Sequence, residues 1–134
     1  METKTIQHIV QFSGTPKEVY ELIMDQELHS EITNSEATMS SEIDGEFDVF
    51  EGYCQGYNIE LVDGEKIVQA WQFAEDGWPE DHFSTCTFIF EPNDDGCKMT
   101  FTQTDVPAEK FEALDSGWYR FYWDNMTDYL EGNL

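Results

Sequence analysis

The segment from Leu114 to Leu130 constrains the fold of this chain more than any other part of the sequence. It contains no proline, and its apolar side chains recur at helical spacing. They cover roughly 200° of the helix circumference, about twice the apolar stripe of an ordinary surface helix. The polar side is narrow and consists of Ser116, Arg120, Asp124 and Thr127. The segment therefore predicts a long helix that other elements cover on more than one side, or that keeps an exposed apolar flank.

The segments before this helix predict what covers it. Residues Thr15 to Glu18 have the pattern of a capping box, which predicts a short helix from Pro16 to about Met24. Another turn or two of helix is expected at Glu27 to Thr33. Alternating residues predict strands at Ile6 to Phe12, Ala37 to Ser41, Phe47 to Val49, Tyr53 to Val62, Lys66 to Phe73, Phe83 to Phe90 and Cys97 to Thr104. This order of elements predicts an α+β fold, in which a curved antiparallel sheet grips a long C-terminal helix.

The length and charge of the chain limit its class. With 134 residues it is predicted to form one domain, spanning residues 1–134. Six Lys and Arg against 29 Asp and Glu give a net charge of −23, which excludes unassisted binding to nucleic acid or to an anionic membrane. The N-terminus lacks the apolar core of a signal peptide, and no apolar run approaches about 18 residues. We therefore expect an acidic, cytoplasmic protein.

The residue types that carry chemistry are scattered. Cys54, Cys86 and Cys97 are widely spaced, and we expect them to be buried and reduced. The three histidines lie on different predicted elements, and no metal-binding, phosphate-binding or nucleophile motif occurs. The sequence therefore predicts no metal, no cofactor and no catalytic residue, and an enzyme is the less favoured class.

Several short motifs, in a fixed order along the chain, are similar to those of one superfamily. They are Thr15-Pro16-Lys17-Glu18-Val19-Tyr20, Gly45-Glu46-Phe47, Gly56-Tyr57-Asn58-Ile59-Glu60-Leu61, Lys66-Ile67-Val68-Gln69-Ala70-Trp71, the Gly96 turn, Val106-Pro107 and Gly117-Trp118. Over nearly its whole length the chain resembles the START/Bet v 1-like helix-grip superfamily. Within that superfamily it resembles the homologues of Hsp90 ATPase activators (AHSA1-like SRPBCC domains). The resemblance implies a cavity between the sheet and the long helix.

Three functions follow from this resemblance. The first is a non-enzymatic binding domain, whose apolar cavity takes an unidentified small hydrophobic ligand. The second is a co-chaperone-like module that contacts an Hsp90-type chaperone through its acidic exterior and an exposed aromatic flank near Trp123. Because 134 residues leave no room for the separate N-terminal domain of the eukaryotic co-chaperone, strong ATPase stimulation is not expected. The third is a polyketide cyclase-like enzyme. Both a monomer and a homodimer are compatible with the sequence.

Aromatic and amide side chains on the inward faces form the predicted ligand-binding set. Strand alternation and helical spacing direct them to the interior, where they either fill the core or line a cavity. The amides stand among apolar neighbours, so they must pair with each other or with water or ligand atoms. The set comprises Gln69, Trp71, Phe73, Phe88, Phe90, Phe101, Gln103, Trp118, Tyr122 and Asn125. Trp78, in an acidic loop, is a further candidate: it anchors a partner or packs against its own domain.

Overall fold

A computed structural model describes residues 1–132 of the chain. The strands are β1 Thr3–Phe12, β2 Glu46–Val49, β3 Cys54–Val62, β4 Lys66–Phe73, β5 Ser84–Asn93 and β6 Gly96–Pro107, and two short helices, α1 Pro16–Met24 and α2 Gln26–Thr33, follow β1. The C-terminal helix is continuous and comprises a 3-10 turn at Ala108–Lys110, α3 Phe111–Trp118, a π-helical segment at Tyr119–Trp123 and α4 Asp124–Leu130. The predicted α+β helix-grip architecture is confirmed.

The six strands form one antiparallel sheet in the order β1-β6-β5-β4-β3-β2. Strands β2 to β6 are joined in sequence as hairpins. Strand β1 pairs with β6, so β1 and β2 are the two edges of the sheet. The Asp63-Gly64 turn joins β3 to β4, where Gly64 adopts a positive φ of 71° that favours glycine. The expected strand at Ala37 to Ser41 is wrong, because in that segment only Thr38 bridges to Asp48.

The capping box at the start of α1 forms as the sequence predicts. The Thr15 hydroxyl accepts from the Glu18 backbone N–H at 3.1 Å, and the Thr15 backbone N–H donates to the Glu18 carboxylate at 2.9 Å. Pro16 lies at the first helical position, where no backbone N–H is needed. The helix buries Val19, Leu22 and Ile23 against the inner face of the sheet. It therefore covers the inner face of the sheet at β5 and β6.

A π-helical segment explains how the C-terminal helix buries so wide an aromatic surface. The backbone N–H of Asp124 bonds to the carbonyl of Tyr119, five residues earlier, so the turn holds one extra residue. With this extra residue, the consecutive Tyr122 and Trp123 are both buried, at 3% and 1% exposed. Of the two alternatives that the sequence left open, the helix is covered at Trp123 itself, and its exposed aromatic side chains are Tyr119 and Phe121.

Trp123 also ties the helix to the edge strand β1. Its indole N–H donates to His8 Nδ1 at 2.9 Å, and His8 Nε2 lies 2.8 Å from an Asp115 carboxylate oxygen. Because the indole can only donate, the second nitrogen of His8 carries the proton that Asp115 accepts.

In residues 1–132, no helix has both the length and the apolarity that a membrane span requires.

Candidate functional site

A pocket of about 450 Å³ opens between the C-terminal helix and strands β3 and β4. Its walls are mostly apolar, and seven of its twelve lining residues are aromatic. The volume falls within the range of small-molecule sites, roughly 300–1,000 Å³. The residues that line it are Phe50, Tyr53, Cys54, Trp71, Phe73, Glu75, Ala113, Leu114, Gly117, Trp118, Phe121 and Tyr122.

The floor of the pocket is a group of buried rings in contact. Trp71 and Trp118 cross edge to face at 5.2 Å between ring centroids, and Tyr122 lies 5.0 Å from Trp118. Phe73 follows Trp71 at 6.0 Å. All four rings are at most 7% exposed. Tilted and edge-to-face contacts at these distances are favourable, so the floor is a fixed surface.

Two hydrogen-bond chains hold the indoles of the floor. The Trp71 N–H donates to Gln69 Oε1 at 2.9 Å, and the amide of Gln69 donates to Asn58 Oδ1 at 3.0 Å. In the same way the Trp118 N–H donates to Gln103 Oε1 at 2.8 Å, and the amide of Gln103 donates to the Ser84 hydroxyl at 2.9 Å. The protein itself thus supplies partners for both glutamines, and neither needs a ligand atom.

The rim carries the charged groups of the site. The Tyr53 hydroxyl donates to the Glu75 carboxylate, whose other near neighbour is the Lys110 ammonium at 3.3 Å. Lys110 also donates to the backbone carbonyl of Asp76 at 2.5 Å. Burial and the bond to Glu75 raise the pKa of Tyr53, so its hydroxyl stays a donor. These contacts join the loop after β4 to the start of the C-terminal helix.

A buried histidine lies directly behind the floor. His29 Nδ1 donates to the carbonyl of Ile23 at 2.8 Å, so its Nε2 accepts from the Tyr122 hydroxyl, also at 2.8 Å. Burial lowers the pKa of His29 and raises the pKa of Tyr122. Both shifts keep the pair neutral, so this contact fixes the Tyr122 ring and is poorly suited to proton transfer.

The cysteines are free and buried, as the sequence predicts. Cys54 lines the pocket, but burial raises its pKa, and the nearby Glu75 and Asp48 carboxylates act in the same direction. Cys86 is fully buried, and burial raises the pKa of its thiol too. A thiol that stays protonated is a poor nucleophile. Residues 1–132 contain no cluster of three or more His, Cys, Asp or Glu side chains placed to hold a metal ion.

Four of the ten predicted site residues line the pocket, namely Trp71, Phe73, Trp118 and Tyr122. Five others are buried behind it: Gln69, Phe88, Phe90, Phe101 and Gln103. Asn125 does not face the interior as expected, because it is partly exposed and its amide donates to the Phe121 carbonyl one turn earlier. The π-helical segment shifts the inward register of this helix to Trp123 and Met126.

Sequence reasoning missed the rim. Phe50 and Glu75 lie in turns, where strand alternation gives no direction, and Tyr53, predicted as the first residue of a strand, lies in the turn before β3. Leu114 and Phe121 stand in the predicted apolar stripe and could have been included. Trp78 packs against its own domain at 8% exposed. Its ring lies 4.8 Å from Phe73, and its N–H donates to the His82 carbonyl at 2.9 Å.

Comparison with known proteins places this architecture among relatives. Residues 13–131 match the sequence model of the family described as Activator of Hsp90 ATPase homolog 1-like protein. The human Activator of 90 kDa heat shock protein ATPase homolog 1 is 30% identical over 115 residues, which are 86% of this chain and 33% of the human protein. The chain thus spans about a third of the length of the curated relatives it matches.

Solved structures have the same fold over nearly the full chain. An HSP90 activator from Plasmodium falciparum superposes with a TM-score of 0.83 at 22% identity, covering 98% of this chain and 97% of that one. The Aha1 dimer from Colwellia psychrerythraea has a TM-score of 0.80 at 16% identity, covering 97% and 98%. Because the family model spans residues 13–131, the chain belongs to the Activator of Hsp90 ATPase homolog 1-like family.

Proposed function

We propose that this domain binds a small apolar molecule in the pocket between the sheet and the C-terminal helix, without a chemical step. The observation that carries the proposal is the shape and lining of the pocket: about 450 Å³, with a floor of four aromatic rings. Sites of this kind combine apolar walls with a few fixed polar groups, and here the polar groups are the Tyr53 hydroxyl and the Glu75 carboxylate.

Charge narrows the class of ligand. Glu75 is the one lining residue with a formal charge, and the chain as a whole carries −23. An anion approaching the rim is repelled by the whole protein, so the proposed ligand is neutral or cationic. A flat ring system fits best, because it stacks on Trp71 and Trp118 while a donor group reaches Glu75 at the rim.

The test uses Nile red, a neutral apolar fluorophore, titrated against the folded protein. Gly117 lines the pocket, and a Cβ at this position meets only the Phe121 ring at 3.9 Å. Gly117→Leu therefore fills the pocket and also raises helix propensity. Ser116→Leu, at the exposed neighbouring position, is the matched control.

We expect Gly117→Leu to weaken Nile red binding about tenfold or more, since a leucine removes apolar contact area from the probe. Ser116→Leu should bind like the wild type. Absence of saturable binding to the folded wild type contradicts the proposal. Equal binding by the wild type and Gly117→Leu contradicts it as well, because the probe then sits elsewhere.

A second candidate function is contact with an Hsp90-type chaperone. Two observations favour it, namely the family of the chain and its 30% identity to the human activator. We expect the chaperone of the source organism to bind in a calorimetric titration. Gly117→Leu separates the two candidates, because it removes the pocket and leaves the outer surface unchanged. No heat of binding with the chaperone excludes this candidate and leaves the pocket proposal standing.

A polyketide cyclase-like activity has less support. The pocket-lining Tyr53, Cys54 and Tyr122 all have raised pKa values, so they are neutral at pH 7 and weak as nucleophiles or bases.

A cytoplasmic location stays a prediction from the sequence.

A further inference from the structure

One large surface of this acidic protein carries almost no acid. It is the outer face of the sheet, opposite the helices, and we call it the open sheet face. Its central row, read across paired strands, is Gln7, Thr102, Thr87 and Val68. The adjacent row is Ile9, Thr100, Ile89 and Lys66. The 29 acids of the chain therefore avoid the middle of a five-strand surface from β1 to β3.

The acids that reach this face stand at its border, and lysines pair with two of them. Glu60, at the β3 bulge, lies 3.3 Å from Lys66, and Glu91, near the end of β5, lies 3.7 Å from Lys98. These two lysines are a third of the six basic residues in the chain. The other acids within the six strands are Glu46 and Asp48 on the edge strand β2 and Asp105 near the end of β6. The open sheet face is therefore close to neutral within a chain of −23.

The same face also concentrates exposed apolar side chains. Of the eleven large hydrophobic residues exposed within residues 1–132, six lie there: Ile9, Tyr57, Ile59, Val62, Phe83 and Ile89. Tyr57 and Phe83 contact each other edge to face at 5.5 Å above Ala70. Contiguous exposed apolar surface of this kind marks an interaction site more often than isolated residues do.

We propose that the open sheet face binds the same face of a second copy of this chain, as a two-fold symmetric dimer. Two copies that each carry −23 repel one another wherever unpaired acids meet, so a stable contact requires a surface whose acids are few and paired with lysines. The open sheet face is such a surface, and its threonine and isoleucine rows can pack sheet against sheet. Charges farther apart than the Debye length, about 8 Å at physiological salt, are largely screened, so acids away from the contact oppose association only weakly.

The size of the face sets the expected strength. Five strands about 4.8 Å apart and seven residues at ~3.3 Å each give roughly 24 by 23 Å, or about 550 Å² per copy. Two such faces bury about 1,100 Å², near the lower end of specific interfaces. The predicted dimer is therefore reversible, with a dissociation constant in the micromolar range.

Sedimentation velocity of the full chain, from about 5 to about 300 µM, tests this proposal over the range that a small interface implies. The variants are Ile89→Glu and Ile9→Glu, and the matched control is Ile43→Glu, an exposed isoleucine outside the sheet. All three changes add the same charge. We expect a wild-type dimer, and at least about a hundredfold weaker association for both sheet variants, because two-fold symmetry places two new carboxylates in the contact. Ile43→Glu should associate like the wild type.

Salt adds a second readout. We expect association to tighten severalfold between about 0.1 and about 0.5 M NaCl, because added salt screens what is left of the repulsion between two copies at −23 more than it weakens a contact with few charges. Weakening by salt overturns the proposal, since the contact would then depend on ion pairs. A wild-type monomer at every concentration and salt overturns it too. If that monomer binds the chaperone and Ile89→Glu does not, the occupant of the face is the chaperone and not a second copy.

Discussion

Gln103→Leu tests whether the protein itself satisfies its buried amides. Gln103 is 0% exposed, accepts from the Trp118 indole at 2.8 Å and donates to the Ser84 hydroxyl at 2.9 Å. Leucine has nearly the same size and can do neither. The variant therefore keeps the packing of the core and removes two hydrogen bonds.

The expected cost follows from what each partner loses. The Trp118 N–H is left buried and without an acceptor, which costs about 1–3 kcal/mol. Ser84 still donates to the Trp71 carbonyl at 3.2 Å, so it loses only a bond worth about 1 kcal/mol. Together, Gln103→Leu should lower the free energy of unfolding by about 2–4 kcal/mol. Urea unfolding measures this change, with an unchanged m-value as the sign that the folded state stays compact.

The double variant Gln103→Leu with Trp118→Phe separates hydrogen bonding from packing. Phenylalanine has no N–H to orphan, so the double variant should be more stable than the sum of the single changes predicts, by about 1–3 kcal/mol. A cost below about 0.5 kcal/mol for Gln103→Leu refutes the reasoning, because a typical surface change costs no more. Strict additivity refutes it also, since the two side chains would then not be coupled.

Two further predictions concern titration and charge. Because burial depresses the pKa of His29, the folded protein keeps it neutral while the unfolded chain protonates it below about pH 6.5. The free energy of unfolding should therefore fall as the pH drops through that value, by up to about 1.4 kcal/mol per pH unit. His29→Gln should make this pH dependence flatter. Equal slopes for the wild type and His29→Gln would contradict this prediction. Self-repulsion at −23 predicts that the melting temperature rises between about 0.05 and about 0.5 M NaCl, and scanning calorimetry that finds no rise would exclude it.

The fold was predictable because its signals are local and strong. A capping box, Pro16 and one apolar stripe determine α1, and period-two alternation gives the main strands within a few residues. Asp63-Gly64 fixes the β3–β4 hairpin through the positive φ of Gly64. The prediction of a strand at Ala37 to Ser41 was wrong. This segment makes a single bridge, between Thr38 and Asp48, and its sequence does not distinguish such a bridge from a short strand.

The candidate site was predictable only in part, because the side of a helix on which a given side chain lies depends on the number of residues in each preceding turn. A regular helix places Trp118, Tyr122 and Asn125 on one stripe, as the sequence suggests. The π-helical turn adds one residue, so Trp123 and Met126 face inward and Asn125 does not. Sequence does not reveal such a turn, because the residues that form it also fit an ordinary helix. The rim escaped prediction for a different reason, since turn residues have no period from which to infer direction.

The hydrogen-bond chains also explain how the protein can have both a closed core and an open pocket. The chain from Trp118 passes through Gln103 and Ser84 to the Trp71 carbonyl, and so crosses from the helix over β6 and β5 to β4. The chain from Trp71 continues through Gln69 and Asn58 to the carbonyls of Ser40 and Glu42. Together they fix both indoles of the pocket floor, independently of any ligand. Entry of the proposed ligand would therefore depend on the partly exposed rim, where the Tyr53, Glu75 and Lys110 contacts can open without disturbing a buried group.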